Sequence, residues 1–244
     1  MAKFQRVMIK VSGESLLGSR EYGIDPQAAL DVAERIKAAH DLGVQIVVVV
    51  GGGNIFRGLA GSKNGMDRAT ADYMGMLATI MNGMALLDAL QKTNVPSRLQ
   101  SALKMDEVAE PFLRNKAIRH LEKGRVVILS AGTGNPFVTT DTGGSLHALE
   151  LHCDVYMKAT KVDGVYDRDP MKYPDARRFK TLNYKDAIQL EGVEVMDTAA
   201  LAMCMENDLS IMVFELFEGD NLVKAVQGED VGTYLSNDAE TVFA

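Results

Sequence analysis

The residues best suited to chemistry form a polar loop at positions 130–141, directly after the apolar run at 125–129. The loop contains two glycines, three threonines and Asn135, whose backbone N–H groups and polar side chains suit the binding of an anion. It ends at Asp141, where we expect the next helix to begin, so this carboxylate is either a helix N-cap or part of a site. A polar turn followed by a capped helix would explain the same residues. The loop alone leaves both interpretations open.

Two further polar features follow predicted strands. Lys10 interrupts the apolar run at 6–11, which is costly unless its ammonium meets an anion at the end of the strand. A lysine that only extends to solvent would also fit. The glycines at 51–53 follow the valine-rich run at 44–50 and indicate a close approach of the backbone to a ligand. Arg57 then stands where a guanidinium could close over a phosphate. The segment matches neither the Walker pattern nor the dinucleotide fingerprint.

The elements that must position these residues alternate between strand and helix. We predict strands at 6–11, 44–50, 95–99, 125–129, 154–158, 211–214 and 232–235, with a further short strand in 163–170. We predict helices from Pro26, capped by Asp25, to near Gly43, and at 66–92, 106–123 with a break at Pro111, 142–151, 186–190, 196–206 and 222–226. Residues 12–15 should form a loop, 171–178 a flap, and 236–244 a loose end.

This alternation predicts a three-layer α/β/α sandwich with a mainly parallel central sheet. Ligands of such sheets bind at the carboxyl ends of the strands. The glycine-containing loops, Lys10 and Lys158 would all lie at that edge.

The predicted helix at 66–92 is apolar on several sides, with Met74, Leu77, Met81 and Met84 at steps of three and four residues. Such a helix is buried either within its subunit or against a partner. We favour a subunit interface and interpret the methionines as packing residues rather than as part of a cofactor site.

Composition narrows the class of protein. The chain has 244 residues and a net charge of −7, which argues against a nucleic-acid or membrane-surface binder. Only two cysteines are present, and no segment approaches the roughly 20 unbroken apolar residues of a membrane span, so we expect a cytoplasmic protein. His147, His152 and Cys153 are close in sequence, but we interpret them as packing and surface residues, with no metal site. We treat residues 1–244 as a single domain.

Five segments together resemble the amino acid kinase superfamily. They are residues 10–13, 51–58, 72–79, 131–137 and 158–166, and they occur in the order typical of that superfamily. Within it, they look most like the bacterial uridylate (UMP) kinase family, over nearly the whole chain. The resemblance implies a phosphotransferase that moves the γ-phosphoryl group of ATP to UMP, giving UDP and ADP, in pyrimidine nucleotide biosynthesis.

The resemblance also implies residue roles. Lys10 would contact the transferred group, Asp141 would orient Lys10 or the metal, and Asp197 would help to arrange the phosphate lysines or simply cap a helix. The implied ATP site consists of Lys10, Val11, Ser12, Gly13, Gly53, Arg57, Thr160, Tyr166 and Asp169. The implied UMP site consists of Gly52, Arg57, Asp72, Thr133, Gly134, Asn135, Pro136, Phe137, Val138, Thr139 and Thr140.

The resemblance further implies Mg²⁺ bound with ATP, a homohexamer, activation by GTP and inhibition by UTP. The loop linked to GTP activation would consist of Gly18, Ser19, Arg20, Glu21, Tyr22 and Gly23. Leu87 and Gln91 occupy positions where some relatives carry basic residues, so Arg98 is the main candidate to bind the effector.

Two other classes of protein would use the same fold. A kinase acting on an amino acid or carbamate would need a carboxylate or ammonium pocket, whereas Arg57 and the loop at 131–137 suit a nucleotide phosphate. A non-catalytic anion-binding protein would keep the glycine loops but would have little reason to keep Lys10 and Asp141 together. Both comparisons favour a nucleotide kinase.

Overall fold

The computed structural model describes residues 2–57, 65–190 and 195–244, so Gly58 of the glycine motif lies outside the described residues. The described strands are β1 (Arg6–Val11), β2 (Gln45–Val50), β3 (Ser97–Ser101), β4 (Glu110–Pro111), β5 (Val126–Ser130), β6 (Val155–Thr160), β7 (Phe179–Asn183), β8 (Ser210–Glu215), β9 (Gly232–Ser236) and β10 (Val242–Phe243). The described α-helices are α1 (Pro26–His40), α2 (Arg68–Lys92), α3 (Arg114–Glu122), α4 (Thr140–Glu150), α5 (Tyr184–Gln189), α6 (Thr198–Glu206) and α7 (Asn221–Gln227).

The strands form one sheet in the order β10-β7-β9-β8-β6-β1-β2-β5-β3-β4. Neighbouring strands run parallel except for the pairs β8–β9 and β7–β10. β1 lies at the centre, between β2 and β6, and the register places Lys10 directly beside Lys158. The sheet therefore joins residues that are far apart in the sequence.

Alternating side chains of the sheet build a core on each face. In β1, Val7, Ile9 and Val11 face a core covered by α1, α2 and α7. Met8 faces the opposite core, which α3, α4, α5 and α6 cover. Side chains of successive strand residues point to opposite faces, so one sheet can support both helical layers. The predicted three-layer α/β/α sandwich with a mainly parallel sheet is confirmed.

α1 begins as its sequence predicts. The Asp25 side chain accepts a hydrogen bond from the backbone N–H of Gln27 at 2.9 Å, and Pro26 occupies the first helical position. A side-chain acceptor satisfies an N–H that the helix itself leaves free, and the fixed φ of proline suits the first turn.

α2 is the one described helix whose length and composition would allow it to cross a membrane. The sequence-based prediction of no membrane span did not anticipate this. Half of the most apolar part of α2 is buried within the fold, and Leu86, Ala89 and Leu90 belong to the same core as α1. We therefore interpret α2 as a packing helix of this domain.

The predicted helix at 106–123 is wrong in its first half. The chain forms the short edge strand β4 at Glu110–Pro111, and α3 begins only at Arg114. Pro111 has no N–H to donate and is tolerated at the edge of a sheet, where no further strand requires that donor.

The prediction for the carboxyl-terminal part also needs correction. Residues 163–170 contain no strand, and Tyr166 forms only an isolated bridge to Arg178. Residues 236–244 are not loose, because β10 pairs with β7 and Phe243 stacks on Phe179 with ring centroids 4.5 Å apart. β7 was not predicted, so its partner at the end of the chain was missed as well.

Candidate active site

The centre of the site is a carboxylate held between two lysines. Lys10 on β1 and Lys158 on β6 lie side by side in the sheet, on the face that α4 covers. Asp141, in the first turn of α4, contacts both: its Oδ1 lies 3.1 Å from Nζ of Lys10, and its Oδ2 accepts a hydrogen bond of 2.8 Å from Nζ of Lys158. Each of the three side chains is about 15% exposed, or slightly less. The cluster is therefore largely desolvated yet still open to a ligand.

The two lysines keep this carboxylate ionised. Burial favours the neutral acid, but the charges of Lys10 and Lys158 outweigh it and hold the pKa of Asp141 below its usual range. The cluster thus carries one negative and two positive charges, and its net positive charge suits phosphate groups.

Of the two interpretations of Asp141, helix N-cap or part of a site, the N-cap is wrong. α4 begins at Thr140, two residues earlier than predicted, and the cap is Thr139, whose hydroxyl accepts from the N–H groups of Asp141 and Thr142 at 3.1 and 3.2 Å. A threonine hydroxyl, like an aspartate carboxylate, can satisfy these free N–H groups. Because Thr139 caps the helix, the carboxylate of Asp141 remains available to the lysines.

Asp197 does cap a helix, as one of the two interpretations of the sequence has it. Its carboxylate accepts from the N–H of Ala200 at 3.0 Å at the start of α6. It also accepts from the hydroxyls of Thr139 and of Thr142, the latter at 2.7 Å. Asp197 therefore fixes the first turn of α4, the turn that carries Asp141.

A cavity of about 140 Å³ lies between α2 and the loop after β5, at the ends of β2 and β5 and therefore on the β2 side of Lys10. Lys10, Asp141 and Lys158 do not line it, but Thr140, the neighbour of Asp141, does. Of the predicted acceptor residues, seven line it: Gly52, Asp72, Thr133, Asn135, Val138, Thr139 and Thr140. Phe56, Gly75, Met76, Thr79, Ala131 and Gly132 also line it and were not predicted. Gly134, Pro136, Phe137 and Arg57, which were predicted, are not among its lining residues.

Side chains of α2 hold the loop that forms this cavity. Ala131 and Phe137 adopt positive φ angles of 63° and 68°, which is unfavourable for residues other than glycine. The N–H of Ala131 donates to the hydroxyl of Thr79 at 2.7 Å, and that of Phe137 donates to the carboxylate of Asp72 at 2.8 Å. Asp72 also pairs with Arg68 at 2.8 Å. These anchors stabilise a loop shape that the chain would otherwise avoid.

A second cavity, of about 260 Å³, lies on the other side of the cluster and includes Lys158 in its wall. Thr160, Tyr166 and Asp169, the residues of the predicted ATP site that the resemblance assigns to the nucleoside, all line it. The hydroxyl of Tyr166 donates to Asp163 at 2.7 Å, and this bond, together with burial and the Asp163 charge, raises the pKa of Tyr166 to about 12. The structure thus brings these three residues together.

The predicted phosphate loops meet beside Lys10. A side chain at Gly13 would collide with the carbonyl of Gly51 at 2.8 Å, so the two loops touch through their backbones. The expected loop at 12–15 is the start of a short 3₁₀ helix, Gly13–Leu16, with Ser12 as its cap. The side chain of Val11 is buried in the core, so only its backbone can face a ligand.

Arg57 does not point into the acceptor cavity. Its guanidinium pairs with Glu14, and its Nε donates to the carbonyl of Gly53 at 3.3 Å. Glu14 pairs on its other side with Lys161 at 3.2 Å. Arg57 and Lys161 are both more than 60% exposed, so a bound polyphosphate could attract either of them away from Glu14.

The predicted effector residues fall into two separate places. Residues 18–23 form a surface loop, with Tyr22 exposed and Gly18 and Gly23 at positive φ. Arg98 instead lies on β3, where its Nε is 3.7 Å from Glu110.

The sequence does not predict three contacts that hold the site. Lys158 is predicted at the end of a strand, without its pairing to Asp141. Thr79 appears in the sequence as an ordinary helix residue, although it anchors Ala131. His147, predicted as a packing residue, is buried, and its Nε2 also lies 3.1 Å from the carbonyl of Gly132. The only available signal was the helical spacing of Asp72 and Thr79, which places them on one face of α2.

The described residues contain no group of three His, Cys, Asp or Glu side chains that could hold a metal ion. Asp141 is the carboxylate between the cavities, and its Oδ1 faces Lys10 without accepting a well-oriented hydrogen bond. One carboxylate oxygen of this kind fits Mg²⁺, which proteins usually bind through one or two carboxylates and the phosphates of the nucleotide.

Comparison with known proteins agrees with this geometry. Residues 5–215 match the amino acid kinase family, and the chain belongs to that family. UMP kinase from Bacillus anthracis is 36% identical, with a TM-score of 0.94 over 99% of each chain. UMP kinase from Ureaplasma parvum is also 36% identical, with a TM-score of 0.89 over 95% of this chain and 98% of that one. Uridylate kinase from Archaeoglobus fulgidus is 28% identical, with a TM-score of 0.71 over 97% of this chain and 100% of that one.

Proposed function

We propose that this chain is a nucleoside monophosphate kinase that transfers the γ-phosphoryl group of ATP to UMP, giving UDP and ADP, and that it serves pyrimidine nucleotide biosynthesis as a single domain, 1–244. The observation that carries the proposal is the position of Lys10, Asp141 and Lys158 between two cavities. Similarity to UMP kinases along nearly the whole chain supports the choice of acceptor.

In this reaction, a phosphate oxygen of UMP forms a bond to the γ-phosphorus of ATP, and the bond from that phosphorus to the β–γ bridging oxygen breaks. The bridging oxygen leaves as part of ADP. The acceptor is already an anion, so the reaction needs no strong general base. It needs two anionic substrates held in line and the developing negative charge neutralised. Lys10 and Lys158 supply positive charge at the point of transfer, and Asp141 holds both ammonium groups in place.

We place UMP in the cavity between α2 and the loop after β5, where backbone and hydroxyl donors suit its phosphate and base. We place the ATP nucleoside in the cavity lined by Thr160, Tyr166 and Asp169, with its phosphates reaching the loops at Ser12, Gly13 and Gly53. Arg57 joins the phosphates when it leaves Glu14.

Mg²⁺ would be held by the ATP phosphates, with Asp141 as the protein carboxylate nearest to the point of transfer. When bound, it would neutralise charge on the β- and γ-phosphates. The protein side chains would bind and orient the nucleotides around it.

We further propose that the chain is cytoplasmic and forms a homohexamer, with GTP as an activator and UTP as an inhibitor. The exposed face of α2 supports assembly, because Met74, Leu77, Met81 and Met84 are each 38–53% exposed and form one apolar stripe. A face of this kind on a helix is normally covered by a partner.

Incubation with Mg·ATP and a panel of nucleoside monophosphates, followed by measurement of ADP, tests the activity. We expect ADP with UMP and much less with AMP or GMP. Amino acids and carbamate in the same panel test the other acceptors of the fold. If UMP gives no ADP, the proposed function is wrong.

The variant Met81→Glu tests the assembly. A buried, unpaired charge is costly at an interface, so we expect a smaller particle by light scattering after size exclusion. Val108→Glu, at an exposed apolar residue outside α2, is the matched control and should keep the mass of the native assembly. An unchanged mass for Met81→Glu would show that this face is not an interface.

A further inference from the structure

Two asparagines that lie outside both cavities form a closed pair beneath the phosphate loops. Asn54 and Asn82 are 4% and 0% exposed. Their side-chain amides bond to each other: Nδ2 of Asn54 donates to Oδ1 of Asn82 at 3.0 Å, and Nδ2 of Asn82 donates to Oδ1 of Asn54 at 2.7 Å. Each amide nitrogen also donates to a backbone carbonyl: Asn54 to Gly23 at 2.8 Å and Asn82 to Gly51 at 2.6 Å. All four amide hydrogens are therefore used.

The hydrogen-bond partners of the pair allow only one orientation of each side-chain amide group. Gly23 and Gly51 both present carbonyl oxygens, which accept but cannot donate, so both amide groups must turn their nitrogens outward. Aspartate has the same shape as asparagine but lacks these donors when ionised. Buried carbonyls that lose their donors are costly, so neither position accepts an aspartate without rearrangement.

The pair links four parts of the molecule. Gly51 opens the glycine loop, and Oδ1 of Asn54 lies against Gly13, where a side chain would collide with it. Gly23 ends the loop at 18–23, and its N–H also donates to the backbone carbonyl of Asn54 at 2.8 Å. Asn82 belongs to α2, the helix that anchors the acceptor loop through Asp72 and Thr79.

We infer that Asn54 and Asn82 are positioning residues for phosphoryl transfer, a statement that rests on the proposed function. They touch neither cavity. They hold the loops after β1 and β2 at a fixed distance from α2, so that the donor-side and acceptor-side phosphate contacts face each other across Lys10. Small misplacements of reacting groups reduce turnover strongly, by about 100-fold for a shift of about 1 Å.

The test compares Asn82→Asp with Asn221→Asp. Asn221 is also buried, and its side chain donates to the carbonyl of Glu215 at 3.0 Å, but it lies at the start of α7 and lines neither cavity. Both variants lose buried donors and should lower the unfolding midpoint. Only Asn82→Asp should lower kcat, by about 10–100-fold, with a smaller change in KM for ATP. Measurements are made well below each unfolding midpoint.

Amide hydrogen exchange gives a readout that does not depend on activity. Peptides covering 12–16 and 51–57 should exchange faster in Asn82→Asp and at the native rate in Asn221→Asp. If the native chain makes no ADP from UMP, the proposed function fails while the exchange result still decides whether the pair positions the loops.

A folded Asn82→Asp with kcat within about twofold of the native value and unchanged loop exchange would overturn the inference. If this variant does not fold, Asn54→Ala carries the test by the same two measurements. It removes the side-chain amide of Asn54 and leaves the hydrogen bond from Asn82 to the backbone carbonyl of Gly51.

Discussion

Asp141 and Glu110 are both carboxylates surrounded by cationic and polar donors, but they have different roles in the molecule. Asp141 contacts Lys10 and Lys158 between two cavities. Glu110, on the edge strand β4, contacts Lys116 at 3.0 Å and His120 at 3.0 Å and lines neither cavity.

Both carboxylates have lowered pKa values although burial opposes ionisation at each, but the main causes differ: lysine charges at Asp141 and hydrogen bonds at Glu110. Burial opposes ionisation at Glu110, but hydrogen bonds from Lys116, His120 and Gln100 lower its pKa to about 2. At His120, Arg125 donates to Nδ1 at 3.0 Å, so Nε2 carries the proton that is donated to Glu110.

The two carboxylates differ in whether their cationic partners can also contact a ligand. The partners of Glu110 belong to α3 and the sheet edge and stabilise the fold locally. The lysines of Asp141 stand at the carboxyl ends of adjacent central strands, where a phosphate can reach them. A lowered carboxylate pKa is therefore a stronger indication of a functional site where a charged partner, such as Lys158, lines a cavity.

The largest effect should come from breaking the Asp141 cluster. We expect Lys10→Ala to lower kcat about 1,000-fold and Asp141→Asn about 100-fold or more, because each removes charge or orientation at the point of transfer. Steady-state ADP formation measures both. If Asp141→Asn keeps full turnover while Lys10→Ala loses it, Asp141 does not organise the site.

Lys158→Met should come next, with a loss of about 10–100-fold in kcat, because it removes one of two cations while keeping the stem length. Lys180→Met is the matched control: Lys180 also pairs with an aspartate, Asp230 at 3.0 Å, but lies outside both nucleotide cavities. The control should keep native kcat. Equal kcat values for the two variants would show that Lys158 does not contribute to phosphoryl transfer.

Glu110→Gln should lower stability and leave basal kcat unchanged. The folded-state pKa of Glu110 lies below its ordinary value of 4.5, so its contribution is fully present above about pH 4.5 and is lost as pH falls toward 2. After allowance for solvent screening, we expect a loss of about 1–2 kcal/mol at pH 7. Denaturant unfolding at pH 7 and at lower pH measures it. A penalty that does not shrink as pH falls below 4.5 would contradict this account.

Tyr156→Phe should have the smallest effect. Tyr156 is buried beside α4, and its hydroxyl has no hydrogen-bond partner among the described residues. Burial, with the nearby charge of Asp141, raises its pKa. Loss of an unsatisfied hydroxyl should leave stability unchanged or raise it by up to about 1 kcal/mol. Tyr184→Phe is the control, because the Tyr184 hydroxyl donates to the carbonyl of Leu209 and its loss should destabilise by about 1 kcal/mol. Thermal unfolding compares the two. A destabilised Tyr156→Phe would reveal a role for its hydroxyl.

Local patterns in the sequence predict much of the fold. The periods of apolar residues placed β1, β2, α1 and α2 to within a few residues, because strand and helix periods are local properties. The glycines at 51–53 and the loop at 130–141 were also recognisable as candidate ligand-binding loops. Glycine permits backbone conformations that other residues avoid, so such loops can be identified from their residue types.

Which side chains contact each other in the site depends on the folded chain and is not visible in the sequence. The strand register put Lys10 beside Lys158, and the cap at Thr139 left Asp141 free to bind both. The edge strands β4 and β10, and β7 beside β10, were not predicted. The pairing of β7 and β10 depends on partners far along the chain. Asn54 and Asn82 are ordinary polar residues in the sequence, and only the fold closes them into a pair beneath the phosphate loops. Contacts of this kind depend on long-range packing, which local sequence patterns do not encode.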